Sequence, residues 1–390
     1  MREKILLFLM IAIDFILLIF ASSTLSISYY EADIFFNANS AVHYLIKLSC
    51  ELFGQNDYAL RAPFIIIHLL CVVLLYLISK PLLKRKTDRL ITVLIYMMLP
   101  GSIVVSLAAN SAAFIVFGIL LFVYLHQNGR IFSMCAVLAL SLFFGKGFII
   151  LYLLLFFYAV FKRDTLIMIL SLALFTAGAY IYGFDIGGRP RGYFLDTFGI
   201  YAAIFSPLLF LYFIYVQYRI LVKGGKSLIW WLSFGAFLFS LILSFRQRIA
   251  VEEFASYTII AAPLIVGTFM SSFRVRLPQY RKFHKFFALL IIFSLLFNTV
   301  LVLGNQYLYT FLHKNSSHFA YKYHIAKELS SELKTRGVTK IHTDDKKLAL
   351  RLKFYGINDG GEFILERSSV GDIAVIYGDT VIEKYKLTYQ

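Results

Sequence analysis

The sequence predicts an all-α polytopic membrane protein of about 11 transmembrane helices that ends in a small C-terminal α/β domain. Two observations carry this expectation. Hydrophobic residues fill 60% of 390 positions and charged residues only 15%, with a mean hydropathy of +0.76. A soluble domain holds about 45–50% apolar and about 25% charged residues. The apolar residues also fall in blocks, of the roughly 20 residues that one bilayer crossing needs. Lipid gives the backbone no hydrogen-bond partners and the blocks are long for strands, so the crossings should be helical.

The blocks lie near 4–22, 62–80, 90–108, 112–126, 131–144, 147–161, 165–183, 197–218, 227–245, 255–272 and 286–304. Only Gly145-Lys146-Gly147 separates the fifth from the sixth, so residues 131–161 read either as two spans or as one broken element. Met1-Arg2-Glu3-Lys4 and the apolar run to Ala21-Ser22-Ser23 mimic a signal peptide. The spans behind it make an uncleaved first helix the expectation.

Charge then sets an orientation. With the N-terminus inside, the inner segments collect 18 Lys or Arg: Arg2 and Lys4, five over 80–89, Arg130, Lys162 and Arg163, three over 219–226 and five over 274–285. The outer loops before residue 305 hold seven: Lys47, Arg61, Lys146, Arg189, Arg191, Arg246 and Arg248. The positive-inside rule favours a cytoplasmic N-terminus, and an odd span count puts the C-terminal domain outside. The net charge of +16 is then explained by inner loops facing anionic lipid, with no nucleic acid as partner. Cys50, Cys71 and Cys135 are isolated and read as packing residues. The eight His show no ligand spacing.

The outer loops carry the chemical candidates. The first, residues 23–61, opens on Tyr29-Tyr30-Glu31-Ala32-Asp33. In an extended segment Glu31 and Asp33 would point to the same side. Over 39–54, His43, Lys47 and Glu51 recur every four residues among Val42, Leu45, Leu48, Leu52 and Phe53, as in a helix lying in the interface. In the loop at 184–196, Arg189 and Arg191 flank Pro190 between glycines, and guanidinium forks match phosphate oxygens. Near 246–253 lie Arg246 and Arg248, with Glu252 and Glu253 expected to pair with them. Asp14, about a turn from the inner end of the first span, reads as a functional candidate or as an interhelical hydrogen-bonding group.

The passage Phe53-Gly54-Gln55-Asn56-Asp57-Tyr58-Ala59-Leu60-Arg61-Ala62-Pro63 resembles the GT-C glycosyltransferases, within them the protein mannosyltransferase and aminoarabinose transferase-like group. That group has an acidic residue or pair just after the first span, an interfacial helix, and an FG-x-N-[DE]-x-x-x-R-x-P passage into the second. Arg248, Tyr257 and Pro263 are similar to its late R…Y…P span. The resemblance implies a GT-C-like fold and a sugar donor on a polyprenyl phosphate. It also implies an outer-loop carboxylate, Asp33 or Glu31, at the acceptor, and arginines at the donor phosphate: Arg61, Arg189, Arg191, Arg246 and Arg248. The sequence departs from the group where Ala32 separates the two acids, where the first loop is shorter, and where Asn37-Ala38-Asn39-Ser40 replaces a KPP element.

Residues 1–304 are thus expected to form the membrane domain, and 305–390 a small extracytoplasmic module. The module should have helices at 320–335 and 346–355 and strands at Val338–Thr343, 362–367 and 372–377, with one more after Asp379. It holds no Gly-rich phosphate loop. Asn315-Ser316-Ser317 matches a glycosylation acceptor. The resulting expectation is a glycosyltransferase in a bacterial inner membrane, N-terminus cytoplasmic and C-terminal domain periplasmic, acting on a lipid or glycan acceptor among membrane lipids. No cofactor is implied, and a divalent metal is left open. The alternatives are a transporter or flippase of lipid-linked substrates, which should show charge near the bilayer midplane and two related halves, and a non-catalytic scaffold on the same fold.

Overall fold

The computed structural model describes residues 2–183, 192–312, 314–368, 370–377 and 380–389. Among the described residues, eighteen α-helices precede or alternate with four strands. Contacts divide the chain into two units. The first comprises Met1–Phe15, Ile66–Ser106 and Asn110–Thr299, the second Ile16–Ile65, Leu107–Ala109 and Val300–Gln390.

The helices are α1 (Arg2–Thr24), α2 (Tyr29–Phe36), α3 (Ala41–Phe53), α4 (Asp57–Leu82), α5 (Lys86–Met98), α6 (Pro100–Leu107), α7 (Ala112–Gln127), α8 (Ile131–Ser141) and α9 (Phe148–Lys162). They continue with α10 (Thr165–Tyr182), α11 (Phe194–Phe205), α12 (Pro207–Lys223), α13 (Leu228–Ser244), α14 (Val251–Thr258), α15 (Ala262–Val275) and α16 (Pro278–Leu303). The last two are α17 (Ala326–Thr335) and α18 (Lys346–Phe354). The protein is a multi-pass α-helical membrane protein. Among the described residues, five helices are long and apolar enough to cross a membrane, or seven segments if each of two bent pairs counts as one. Four shorter apolar helices, α7, α8 with its 3-10 extension to Phe144, α9 and α13, complete the eleven blocks expected.

Two spans depart from expectation. The third breaks by 60° between α5 and α6, the eighth by 104° between α11 and α12. Proline explains both: Pro100 and Pro207 open the second helix of each pair, and proline disfavours the α conformation in the residue before it. Ser206, ahead of Pro207, takes φ 74°. Residues 131–161 form two helices, since Gly145 at φ 140° interrupts the chain between them.

In the first unit, the segment Val251–Val275 has 72% of its apolar window buried, against 11% for Pro278–Leu303. The first is therefore packed within the unit, and the second presents its apolar surface outward. Rings from α11, α12 and α13 interlock where Phe205 stacks on Phe213 at 4.7 Å and Phe237 meets Tyr201 edge-on at 5.2 Å. Polar groups in these helices find partners inside the protein, as lipid requires. Tyr201 bonds Ser240 at 2.8 Å, Tyr257 donates to the Gly147 carbonyl at 2.7 Å, and Gln217 donates to Ser233 at 3.0 Å. Asp14 lies near the middle of α1, not a turn from its end, and its Oδ2 is 2.9 Å from His68 Nε2 on α4. Both residues are buried, and His68 stacks on Tyr96. This interhelical tie joins two groups that would otherwise be costly in lipid.

The second unit closes around a four-stranded sheet of β1 (Lys340–His342), β2 (Asn358–Arg367), β3 (Ile373–Tyr377) and β4 (Thr380–Tyr389), in the order β1-β2-β4-β3. β1 and β2 are parallel with α18 as the crossover, while β4 pairs antiparallel with β2 and with β3. Leu329 and Leu333 of α17 and Leu348 and Leu352 of α18 bury against Ile341, Leu365, Ile373 and Val375. The alternation of elements matches the sequence reading, although β2 begins at Asn358, earlier than expected. Asn315 Nδ2 donates to the carbonyls of Val381 and Ile382, both at 3.0 Å. The residue of the glycosylation match is thus engaged with β4.

Candidate functional site

In the second unit the acidic segment of the first loop is helical, and this separates its two carboxylates. Ser28 opens α2 with a capping box: its hydroxyl accepts from the Glu31 amide at 3.3 Å, and its own amide donates to Glu31 Oε2 at 2.9 Å. The segment is thus not extended, the form in which the two acids would point to the same side. Residues two apart on a helix point about 200° from each other. Glu31 turns inward and is 2% exposed. Its Oε1 accepts from the Ala109 amide at 3.0 Å, and Arg61 lies 3.7 Å from Oε2. Asp33 is only partly buried, and its Oδ1 accepts from Asn37 Nδ2 at 2.8 Å. Of the two candidate acids, Asp33 is the one left accessible to a reacting group.

Arg61, expected at the donor phosphate, is fully buried. Its Nε donates to the Leu107 carbonyl at 3.0 Å. One terminal nitrogen donates to the carbonyls of Leu25 (3.1 Å) and Asp57 (3.3 Å), and the other to that of Ser26 (3.0 Å). It also lies 3.7 Å from Asp57 Oδ1. A guanidinium has five N–H groups, and four of them are taken by these carbonyls. In this arrangement Arg61 is a tie between the first loop, the start of α4 and residue 107, with no fork open to a lipid phosphate.

Asp57 joins the same buried cluster. Tyr355 donates to its Oδ1 at 2.5 Å and accepts from the Ile27 amide at 2.9 Å, and Lys327 stands 3.3 Å from Oδ2. Burial, and then the Asp57 charge, push the Tyr355 phenol well above its ordinary range, so it keeps the proton it donates. Arg351 of α18 is buried and donates to the Ile27 carbonyl at 2.9 Å. Phe354 meets Phe35 edge-on at 5.2 Å, and Lys353 lies over the Phe36 ring at 4.7 Å. The C-terminal segment thus grips residues 25–36. Sequence reasoning missed Lys327, Arg351 and Tyr355 because nothing local marks them.

The first unit holds Arg246, Arg248, Glu252 and Glu253. Both arginines are exposed, and among the described residues neither forms an ion pair. The expected pairing with Glu252 and Glu253 is therefore absent, and the guanidiniums face solvent. A Cβ at Gly147 would lie 3.5 Å from Glu253 Cγ, so the turn carrying Lys146 abuts the start of α14. Arg189 and Arg191 lie outside the described residues. Among the described residues, no group of three or more His, Cys, Asp or Glu is arranged to hold a metal ion. Burial pushes the Cys50 thiol up to about 11, which makes it unreactive at neutral pH.

A second polar cluster, in the second unit, responds to acid. His324 is buried, with its Nδ1 2.8 Å from the Tyr309 hydroxyl and its ring 5.2 Å from that of His318. Burial first, then His318 and Arg351, push His324 down to about 3. An unfolded His takes up its proton near 6.5. The folded unit therefore binds fewer protons than the unfolded chain between about 6.5 and 3 and loses stability as pH falls through that window. The slope should approach about 1.4 kcal/mol per pH unit. Proteolysis within 305–390 of the full chain should accelerate from pH 7.5 to 5.5, above the range where carboxylates titrate. A His324→Gln variant should show a flatter profile, and a wild-type rate independent of pH would contradict this account.

Comparison with known proteins agrees with this architecture. The model of the dolichyl-phosphate-mannose-protein mannosyltransferase family matches residues 40–182. The fold is similar to the crystal structure of ArnT from Cupriavidus metallidurans bound to undecaprenyl phosphate. The TM-score is 0.54 at 10% sequence identity, over 97% of this chain and 97% of that one. No curated protein matches the sequence. The chain has the GT-C fold, as its first-loop motif indicated.

Proposed function

We propose that this protein is a membrane glycosyltransferase that moves a sugar from a polyprenyl-phosphate carrier to a lipid or glycan acceptor on the outer face of a bacterial inner membrane. The observation that carries the reading is the accessible carboxylate of Asp33 on α2, a helix held in place by the buried Glu31–Arg61–Asp57 cluster. The GT-C fold supports it, because the similar ArnT structure holds undecaprenyl phosphate.

In this mechanism Asp33 takes the proton of an acceptor hydroxyl as its oxygen bonds to the anomeric carbon. The bond from that carbon to the carrier phosphate breaks, and its electron pair stays on the phosphate oxygen. Cations lower the barrier by stabilising the charge that develops there. Arg246 and Arg248, exposed and without an ion pair among the described residues, are assigned that role, together with Arg189 and Arg191. Arg61 is assigned to holding the loop.

A transporter of lipid-linked substrates is the second reading, favoured by the buried Asp14–His68 pair near the middle of α1. Liposomes containing the full chain separate the two. Labelled polyprenyl-phosphate sugars should lose their sugar to added lipid or glycan acceptors. Movement of intact donors between leaflets, with no sugar released, would favour transport instead. Tags at residues 225 and 390 should report opposite sides of the membrane, and finding both on the cytoplasmic side would remove the topological basis of outer-face transfer.

A further inference from the structure

We infer that the acceptor is a glycan and that the outward face of α2, formed by Tyr30, Asp33 and Asn37, holds its sugar ring. The inference rests on Asp33 as the base of the proposed transfer and names what that base acts on. Tyr30 stands one turn before Asp33, and Asn37 one turn after it. At about 100° per residue the three lie within about 60° of one another around the helix. Asn37 closes α2 and still belongs to this face, because its amide donates to the Asp33 carbonyl at 2.8 Å. Glu31 and Ala32, on the opposite face, are buried.

The ring on this face is open and held in place. Tyr30 is 67% exposed. Tyr29 meets it at 5.7 Å with the planes tilted by 60°, and Lys347 of α18 lies over the Tyr29 ring at 5.4 Å. Tyr29 is thus fixed from behind and props Tyr30. Among the described residues Tyr30 forms no hydrogen bond or ion pair, so its polar tip and its apolar face both remain available.

The polar pair beside the ring has the valences a sugar needs. Asn37 Nδ2 donates to Asp33 Oδ1 at 2.8 Å. This uses one of the two amide hydrogens and one of the two carboxylate oxygens. What remains is a carboxylate oxygen that accepts, beside an amide with one N–H to donate and an oxygen to accept. A hydroxyl carries one donor and two acceptor lone pairs. One sugar hydroxyl can therefore give its proton to Asp33 while its neighbour on the ring is held by Asn37. The C–H face of the sugar is apolar, and an open aromatic ring covers it. A simple lipid alcohol offers a single hydroxyl and leaves both the ring and the amide unused. A tyrosine serving only as a bilayer anchor would gain nothing from sharing a narrow face with a carboxylate and an amide, which lipid does not satisfy.

The test begins with binding, in which no transfer is needed. Methyl glycosides of glucose, galactose, mannose and N-acetylglucosamine are offered to the full chain in detergent, and saturation-transfer NMR reads which sugar protons touch the protein. At least one glycoside should be saturated at its ring C–H protons. Tyr30→Ala should abolish this, Tyr30→Phe and Tyr30→Trp should keep it, and Asn37→Ala should weaken it, all at the wild-type unfolding temperature. Tyr307→Ala, which removes an equally exposed ring at 65%, should change nothing. Saturation of no glycoside, or saturation that survives Tyr30→Ala, would overturn the site. In transfer assays Tyr30→Ala should raise the KM for a glycan acceptor about tenfold, the order of one lost ring contact, and leave kcat and the donor KM as they were. A rise in the donor KM alone would move the ring to the donor sugar and overturn the acceptor assignment, as would transfer only to lipids that carry no sugar. Glycoside binding that depends on Tyr30 in a chain without transfer activity would uphold the glycan site and remove the transferase reading instead.

Discussion

Replacing Asp33 by Asn should slow sugar transfer about 10²–10⁴-fold, the usual cost of losing a general base, while leaving the fold intact. The stability half of this expectation follows from the geometry. Asp33 is partly exposed, and among the described residues its side chain accepts a single, exposed hydrogen bond, from Asn37. Nothing buried depends on its charge. Glu31→Gln should behave in the opposite way, because Glu31 closes the α2 capping box, accepts from the Ala109 amide and faces Arg61. Its loss should lower the unfolding temperature and reduce transfer only in proportion to the folded protein remaining. Transfer rates of the two single mutants and the double mutant, at matched amounts of folded protein, decide the matter. Wild-type transfer by Asp33→Asn would remove Asp33 from the mechanism.

Arg61→Ala should destabilise the protein by about 3–5 kcal/mol, the range seen when one partner of a buried ion pair is removed. The substitution leaves the Glu31 and Asp57 carboxylates buried beside an empty space. It also strips donors from the carbonyls of Leu25, Ser26 and Leu107, and buried unpaired polar groups are costly. Lys should rescue little. An ammonium is a compact group with three donors, and it cannot reproduce a planar fork that serves four carbonyls at once. Thermal unfolding of the full chain in detergent measures the effect, and proteolysis within residues 23–57 reports whether the loop has come loose. If Arg61→Ala unfolds at the wild-type temperature yet binds polyprenyl phosphate weakly, Arg61 contacts donor rather than holding the loop.

The same cluster shows where sequence reasoning stopped. The Ser28-x-x-Glu31 capping box was legible: a serine three residues before a glutamate is a local helix start. Recognising it would have placed Glu31 and Asp33 on different faces of a helix. Pro100 and Pro207 were likewise visible, and each marks the break that divides its span. The partners of Arg61 were not visible in this way, since they stand 36 and 46 residues away along the chain. Asp57 receives its tyrosine from a position 298 residues further on.

Hydrophobic blocks, their lengths and the helix starts and breaks between them were determined by the sequence alone. Each depends on a residue and its near neighbours: bilayer thickness sets the block length, and caps and prolines act over a single turn. The alternation of elements in the C-terminal domain was readable for the same reason. Which carboxylate stayed accessible, and whether an arginine faced a ligand or a ring of carbonyls, was decided only by the tertiary structure. A buried charge takes whatever partners packing brings within about 4 Å, and chain separation plays no part in that choice.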